Sequence, residues 1–314
     1  MGEVSKDPGA LPLLVICGPT ASGKTALALR LAQRLEMEII SADSRQVYRH
    51  LDIGTAKATR EERRRVPHHL IDVVDPDQDF SAADFARLGR ETVGQVFGRS
   101  RLPVVVGGTG LYIRTLTEGL LPGPPADPGL RRELLEAEGA EGEGALHRRL
   151  EQIDPTLARR LQPRDLVRIV RALEVYDQTG RRLSDLQAEH GFREAPYRIL
   201  QLAVSSSREE LYQRIDRRVE AMVQEGLLDE VRTLLDMGYS PSLKALRTIG
   251  YRECIAHLKG ELSQDEAVRL IQRDTRRYAK RQFTWFRKDN SIIWVDSCGE
   301  FDRILALIED FYAE

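Results

Sequence analysis

Short apolar runs punctuate the chain at long intervals. The first, Leu11 to Cys17 (LPLLVIC), is continuously hydrophobic and ends at Gly18, the pattern of a strand buried on both faces. Behind it, Leu27, Leu31 and Leu35 recur at helical spacing, with Ala26 and Ala28 between them, predicting a helix from Thr25 to Leu35. Further strands are predicted at Glu38 to Ala42, Pro103 to Val106, Ile199 to Val204 and Ile292 to Val295, with helical stretches between most of them. Strands alternating with helices in this way imply a doubly wound α/β fold, a parallel sheet with helices on both faces.

Between Leu120 and Tyr197 the pattern changes. LPGPPADPG opens the region with four prolines, and the remainder is charged and helical with no convincing strand. The prediction is therefore a core domain from 11–120 and 197–314, interrupted by a helical insertion at 121–196. Within it, AEGAEGEG (Ala137 to Gly144) reads as a solvated turn. No internal repeat is evident, and Glu300 to Glu314 reads as a terminal helix.

Composition narrows the class of protein. The 314 residues are 41% hydrophobic and 31% charged, enough for one substantial core and a smaller second unit. The formal net charge is −2, so any surface for a polyanion must come from local clustering of the 47 Lys and Arg. The three cysteines, Cys17, Cys254 and Cys298, lie far apart with no metal-ligand spacing, which fits a reducing cytoplasm and no structural zinc. The start, MGEVSKDPGALP, lacks an apolar signal core, and no run approaches the roughly 18 apolar residues of a membrane span. A soluble cytoplasmic protein is expected. A monomer is expected too, since no long apolar surface stripe is seen.

Gly18-Pro19-Thr20-Ala21-Ser22-Gly23-Lys24-Thr25 matches the G-x-x-x-x-G-K-[ST] phosphate loop, and it stands where that loop must, after a buried strand and before a helix. Its backbone N–H groups and the helix N-terminus suit phosphate oxygens, Lys24 adds a point charge, and Thr25 offers a hydroxyl to Mg²⁺. The core is thus expected to be P-loop NTPase-like. Two further strand ends carry polar or glycine residues, Asp43-Ser44-Arg45-Gln46 and Gly107-Gly108-Thr109-Gly110. Ligands of open α/β sheets bind outside the carboxyl ends of strands, so Asp43 and Thr109 are expected beside a bound phosphate ester. A kinase or nucleoside triphosphatase would commonly end a strand with an acidic metal ligand, where this chain has Gly107. Asp72 and Asp75 remain possible substitutes, although loop acids are the plainer reading.

Arg273 to Lys288 (RDTRRYAKRQFTWFRK) holds seven basic residues and one acid. At about 100° per residue the seven fall within an arc of roughly 140°, while Ile271, Tyr278, Ala279, Trp285 and Phe286 fall opposite. One side is expected to pack, Trp285 and Phe286 included, and the other to form a cationic ridge suited to a polyphosphate backbone. Arg168 with Arg171, and Arg247 with Arg252, extend the basic surface; a solvated helix face is the alternative.

Taken together, GPTASGKT, SADSRQVYRHLDIGTAK, PHHLIDVVDP, VVVGGTGLYI, RIVRALEVY, RTIGYRE and AKRQFTWFR resemble the tRNA dimethylallyltransferases, also called tRNA isopentenyltransferases, from about Leu13 to about Ser297. The order DSRQVY, DIGTAK, GGTGLY is highly specific, and the lack of a C-terminal zinc finger matches the bacterial members. The resemblance implies transfer of a dimethylallyl group from dimethylallyl diphosphate to N6 of adenine 37 in tRNAs that read codons beginning with U. It implies that Asp43 is the general base and that Thr109 touches the reacting part of the substrate. Residues Gly18 to Thr25 would bind the diphosphate with Mg²⁺, joined by Arg214 and Arg217, for which a helix salt-bridge role is equally open. For tRNA it implies Asp43 to Gln46, Arg131, Val167-Arg168-Ile169-Val170-Arg171, Arg247-Thr248-Ile249-Gly250-Tyr251-Arg252 and Lys280-Arg281-Gln282-Phe283-Thr284-Trp285-Phe286-Arg287. Gln46 is a candidate reader of the flipped adenine through its amide. Three alternatives stay open on the residues alone: a P-loop kinase of a small metabolite, an RNA-binding module with a vestigial phosphate site, and a prenyltransferase of free AMP.

Overall fold

The computed structural model describes residues 10–191, 194, 196–296 and 299–313; Cys298, Glu314 and the first nine residues lie outside them. In chain order the elements are β1 (Leu11–Cys17), α1 (Lys24–Leu31), β2 (Met37–Ala42), α2 (Arg60–Arg65), β3 (His68–His69), α3 (Ala82–Gly98), β4 (Leu102–Gly107) and α4 (Gly110–Glu118). Next come α5 (Pro128–Glu141), α6 (Ala145–Ile153), α7 (Pro155–Ala158), α8 (Leu166–Thr179) and α9 (Leu183–His190). The chain continues with β5 (Tyr197–Val204), α10 (Arg208–Gln224), α11 (Leu227–Asp236), α12 (Tyr251–Leu258), α13 (Gln264–Phe286), β6 (Ile293–Val295) and α14 (Phe301–Ala313).

The strands form one parallel sheet in the order β3-β2-β4-β1-β5-β6. Successive residues of β1 serve opposite faces, as the pleat requires. Leu13, Val15 and Cys17 enter one apolar cluster with α3, α4, α11 and α12, while Leu14 and Ile16 enter a second with α1 and α14. Covered on both sides, the central strand has no polar face to show, hence its unbroken hydrophobic run. Helix α1 stops four residues before the predicted Leu35 because its last turn tightens: Gln33 N–H bonds to Arg30 O and Arg34 N–H to Leu31 O. The two-residue β3 is too short to leave a periodic signal.

The chain divides into two compact units, 1–118 with 195–314 and 119–194, where the sequence had placed the joints at 120/121 and 196/197. The 119–194 unit is all helical and has its own apolar core, which includes Leu134, Leu150, Ile169 and Leu173. The stretch read as a solvated turn turns out to be half helix. Its Glu138 is buried and accepts from Gly144 N (2.6 Å) and Leu146 N (2.8 Å), capping α6. No helix among the described residues is long and apolar enough to cross a membrane. The described cysteines, Cys17 and Cys254, are buried free thiols that burial pushes up to about 12.

Candidate active site

The loop Gly18 to Thr25 joins β1 to α1 at the carboxyl edge of the sheet. Gly18, Pro19 and Ser22 are its buried frame. Thr20, Ala21, Gly23, Lys24 and Thr25 line a cavity of about 490 Å³. Lys24 Nζ donates to Pro19 O at 2.5 Å, which holds the ammonium over the loop. Burial, then repulsion from Arg218, pushes Lys24 down to about 8, with Asp43 opposing. The loop therefore presents a cation disfavoured by its burial and by Arg218, which a polyanion would stabilise.

The three strand ends meet there. Ala42 of β2 pairs with Gly107 of β4, and Thr109 N–H then donates to Ala42 O at 3.1 Å. A Cβ on Gly107 would stand 2.1 Å from that carbonyl, so the close approach demands glycine and excludes an acidic residue at this strand end. Thr109 Oγ1 accepts from Ser44 N (3.0 Å), and Asp43 Oδ1 accepts from Arg45 N (2.8 Å) and Gln46 N (3.4 Å). The turn after β2 thus fixes Asp43 through one oxygen; Oδ2 takes no hydrogen bond among the described residues. Asp72 and Asp75 are loop acids: Lys57 and Arg63 bind Asp72 at 2.7 Å each, and Arg49 binds Asp75 at 3.0 Å. Burial pushes Asp72 up, but those hydrogen bonds outweigh it and hold its carboxyl below the usual range.

A second cavity of about 350 Å³ adjoins the first, lined by Ser44, Arg45, Arg247, Thr248, Ile249, Arg252 and Arg281. Thr20, Ala21, Asp43, Thr55, Ala56, Arg218 and Tyr278 line both. Asp43 thus stands between a phosphate-loop chamber and a cationic one. Arg218 is not singled out by the sequence, and Tyr278, expected on the packed side of α13, instead borders both cavities. Of the two arginines proposed on α10, Arg214 lines the phosphate cavity and donates to Ser22 O (3.3 Å), but Arg217 is exposed and lines neither. Arg218, four residues after Arg214 and so on the same helical face, takes that place. Burial lowers Arg218 from its ordinary value while Asp43 and Glu225 oppose the shift. Tyr278 is pushed up to about 12 by burial and by the Asp43 carboxylate, with Thr109 and nearby arginines pulling the other way.

Several expected substrate contacts face inward. Gln46 Oε1 accepts from Ser41 Oγ (2.9 Å), and its Nε2 donates to Thr55 O and Ala56 O (3.2 Å each), so both ends of the amide are taken within the chain. Ile169 and Val170 pack in the helical core while Val167 is 84% exposed, because five consecutive helical residues cannot share one face. Arg131 and Arg171 both bind Glu174, which is fully buried; Arg131 reaches it at 2.8 and 2.9 Å, Arg171 at 2.6 Å. Burial pushes Glu174 up, but these bonds prevail and hold it at about 2. Arg168 is exposed beside Asp165. Gly250 is buried, and Tyr251, fully buried, donates its hydroxyl to Glu230 at 2.6 Å. On α13 Gln282 and Phe286 are buried, Phe283 is half-buried, and Lys280, Arg281, Thr284 and Arg287 are exposed. Trp285, assigned to the core from its phase, is 43% exposed with its indole against Gly110; it lies only about 40° from Arg281 around the helix, at the edge of the ridge. The ridge is also partly neutralised: Arg273 and Arg277 bind Asp274, as does Arg252, and Arg276 binds Asp216.

The chain matches the family model described as IPP transferase over residues 46–289 and that described as isopentenyl transferase over 11–72. It is 62% identical to tRNA dimethylallyltransferase 1 of Syntrophotalea carbinolica, covering 96% of each chain, and 55% identical to tRNA dimethylallyltransferase of Geobacter metallireducens, over 96% and 97%. Among solved structures it is similar to the tRNA isopentenylpyrophosphate transferase of Bacillus halodurans (42% identity, TM-score 0.70, 96% and 95% covered). It is similar also to a eukaryotic dimethylallyltransferase acting on tRNA (28%, TM-score 0.82, 97% and 80% covered). A phosphate loop whose strand ends bring Asp43 and Thr109 together, carried on a chain matched almost end to end, places this protein in the IPP transferase family, among the bacterial tRNA dimethylallyltransferases.

Proposed function

We propose that the chain transfers a dimethylallyl group from dimethylallyl diphosphate to N6 of adenine 37 in the anticodon loop of tRNA. The observation that carries this reading is the place of Asp43, between a phosphate-loop cavity and one lined by Arg45, Arg247, Arg252 and Arg281. The donor diphosphate occupies the first chamber and the splayed-out adenine enters through the second.

The N6 lone pair is delocalised into the purine ring and is a poor nucleophile until its proton leaves. Asp43 accepts that proton while the nitrogen forms a bond to the allylic C1 and the C1–O bond breaks, diphosphate departing with the electron pair. Lys24, the loop N–H groups, Arg214 and Arg218 stabilise the charge growing on the leaving oxygens. Thr109, bonded to Ser44 N, holds the Asp43 turn against the end of β4. For Mg²⁺ the residues fit a site of the usual kind, in which few protein oxygens supplement phosphate and water. Thr25 is exposed and lines the cavity wall, and no cluster of three acidic, His or Cys side chains among the described residues would cage an ion alone. Bound there, the ion would neutralise diphosphate charge. The reading includes a monomer working in the cytoplasm, the former checked by light scattering.

Purified protein incubated with Mg²⁺, labelled dimethylallyl diphosphate and unmodified tRNA tests the reaction. Digestion should yield isopentenyl-adenosine from the base 3′ of the anticodon. Absence of transfer, with ATP consumed on a small metabolite, would instead make the chain a kinase.

A further inference from the structure

We infer that Gln282 is a positioning residue that joins the phosphate loop to the Thr109 turn, and that it makes no contact with nucleic acid although exposed cations precede it. Its side chain is 6% exposed. Its Oε1 accepts from Thr20 N at 2.8 Å, and its Nε2 donates to Gly108 O at 2.8 Å. One amide thus spans the loops that follow β1 and β4, and both of its functional ends are used.

The neighbouring backbone lies close against this side chain. A Cβ on Gly108 would fall 2.3 Å from Nε2, so the turn before Thr109 is built around the amide. One helical turn earlier Tyr278 borders both cavities, and three residues later the Trp285 indole abuts Gly110, where a Cβ would stand 2.1 Å from Nε1. Residues 278, 282 and 285 thus run along the loops that hold the donor, while Lys280, Arg281 and Arg287 are exposed. Losing the amide leaves the Thr20 N–H and Gly108 C=O unpaired, and the loop donors lose their fixed aim at the leaving group.

The inference rests on the proposed reaction, but its first test does not. Binding of inorganic diphosphate with Mg²⁺ is measured directly for Gln282→Met and Gln282→Glu, alongside tRNA binding at several salt concentrations, donor KM and kcat. Gln282→Met should weaken diphosphate binding and lower kcat, each by about tenfold or more, with the tRNA Kd and its salt slope within about twofold of wild type. Gln282→Glu keeps the acceptor for Thr20 N–H but sets a buried carboxylate oxygen against Gly108 O, and should lose at least as much diphosphate binding as the Met variant. Should Gln282→Met fail to fold, Gly108→Ala displaces the same amide from the other side and is measured in its place. Wild-type diphosphate binding and kcat in these variants would overturn the inference. So would equal losses on diphosphate and tRNA, the mark of general destabilisation. A wild-type protein that binds diphosphate yet transfers nothing would sink the reaction while leaving the role of Gln282 open to the same binding measurement.

Discussion

Asp43 owes its position to backbone, since the N–H groups of Arg45 and Gln46 hold one carboxylate oxygen while the other takes no hydrogen bond among the described residues. Removing the side chain therefore disturbs the chemistry more than the fold. Asp43→Ala is expected to lower kcat by about 10²–10⁴-fold, the usual contribution of a general base, with tRNA affinity nearly kept. Single-turnover transfer and filter binding separate the two, and undiminished turnover would remove Asp43 from the mechanism. Lys24 makes a prediction in pH. With a folded value of about 8 against 10.5 for an ordinary lysine, the free enzyme loses this charge as pH rises through 8. Donor kcat/KM, which reports the free enzyme, should fall above that pH, and Lys24→Arg should move the falling limb upward. Stability runs the other way. Between about 8 and 10.5 the unfolded chain binds more protons, so this group's contribution to stability rises with pH across that window.

Helix α10 shows how one helical turn decides a role. Arg214 and Arg218 lie four apart and both line the phosphate-loop cavity, whereas Arg217 faces out. Arg218→Ala should raise donor KM and lower kcat by a combined factor of about 10–150, equivalent to the roughly 1.5–3 kcal/mol of a charge-assisted hydrogen bond. Arg217→Ala should stay within about twofold; steady-state kinetics with tRNA held saturating decides between them. The sequence was informative wherever one pattern had one meaning. The buried run of β1, the glycine loop behind it and the polar ends of β2 and β4 pointed to the cavity where those strand ends meet, because such strands and loops have few other uses. It was mute where neighbours compete for one direction. RRV offers two arginines, and only packing selects Arg218. Val167 to Arg171 reads as one contact segment, yet Ile169 and Val170 are core and Arg171 answers to Glu174, a charge buried by a fold the local sequence does not display. Gln46 and Gln282 read as substrate-contacting amides until their partners come into place: the Thr55 and Ala56 carbonyls of the loop just ahead for Gln46, and the Thr20 N–H and Gly108 carbonyl, far off along the chain, for Gln282.

Across the whole molecule, 49 acidic residues outnumber 47 Lys and Arg, so the net field does not draw a polyanion and affinity must come from cations that the fold leaves uncompensated. On α13 the first half of the ridge is spoken for by Asp274 and Asp216. Lys280, Arg281, Arg287 and Lys288 are exposed and have no ion-pair partner among the described residues. Each phosphate that a cation neutralises contributes about 0.7–0.9 to the slope of log affinity against log salt. Replacing both Lys280 and Arg281 with Ala should therefore weaken tRNA binding and flatten that slope by roughly 1.4–1.8. Arg273→Ala with Arg277→Ala removes the same formal charge from pairs already closed and should flatten it far less. Titrations of the two double variants across a salt series make the comparison. Equal flattening by both would mean that Asp274 releases its arginines to the nucleic acid, and the whole ridge would then be the binding surface; no change with either would reduce it to a solvated helix face.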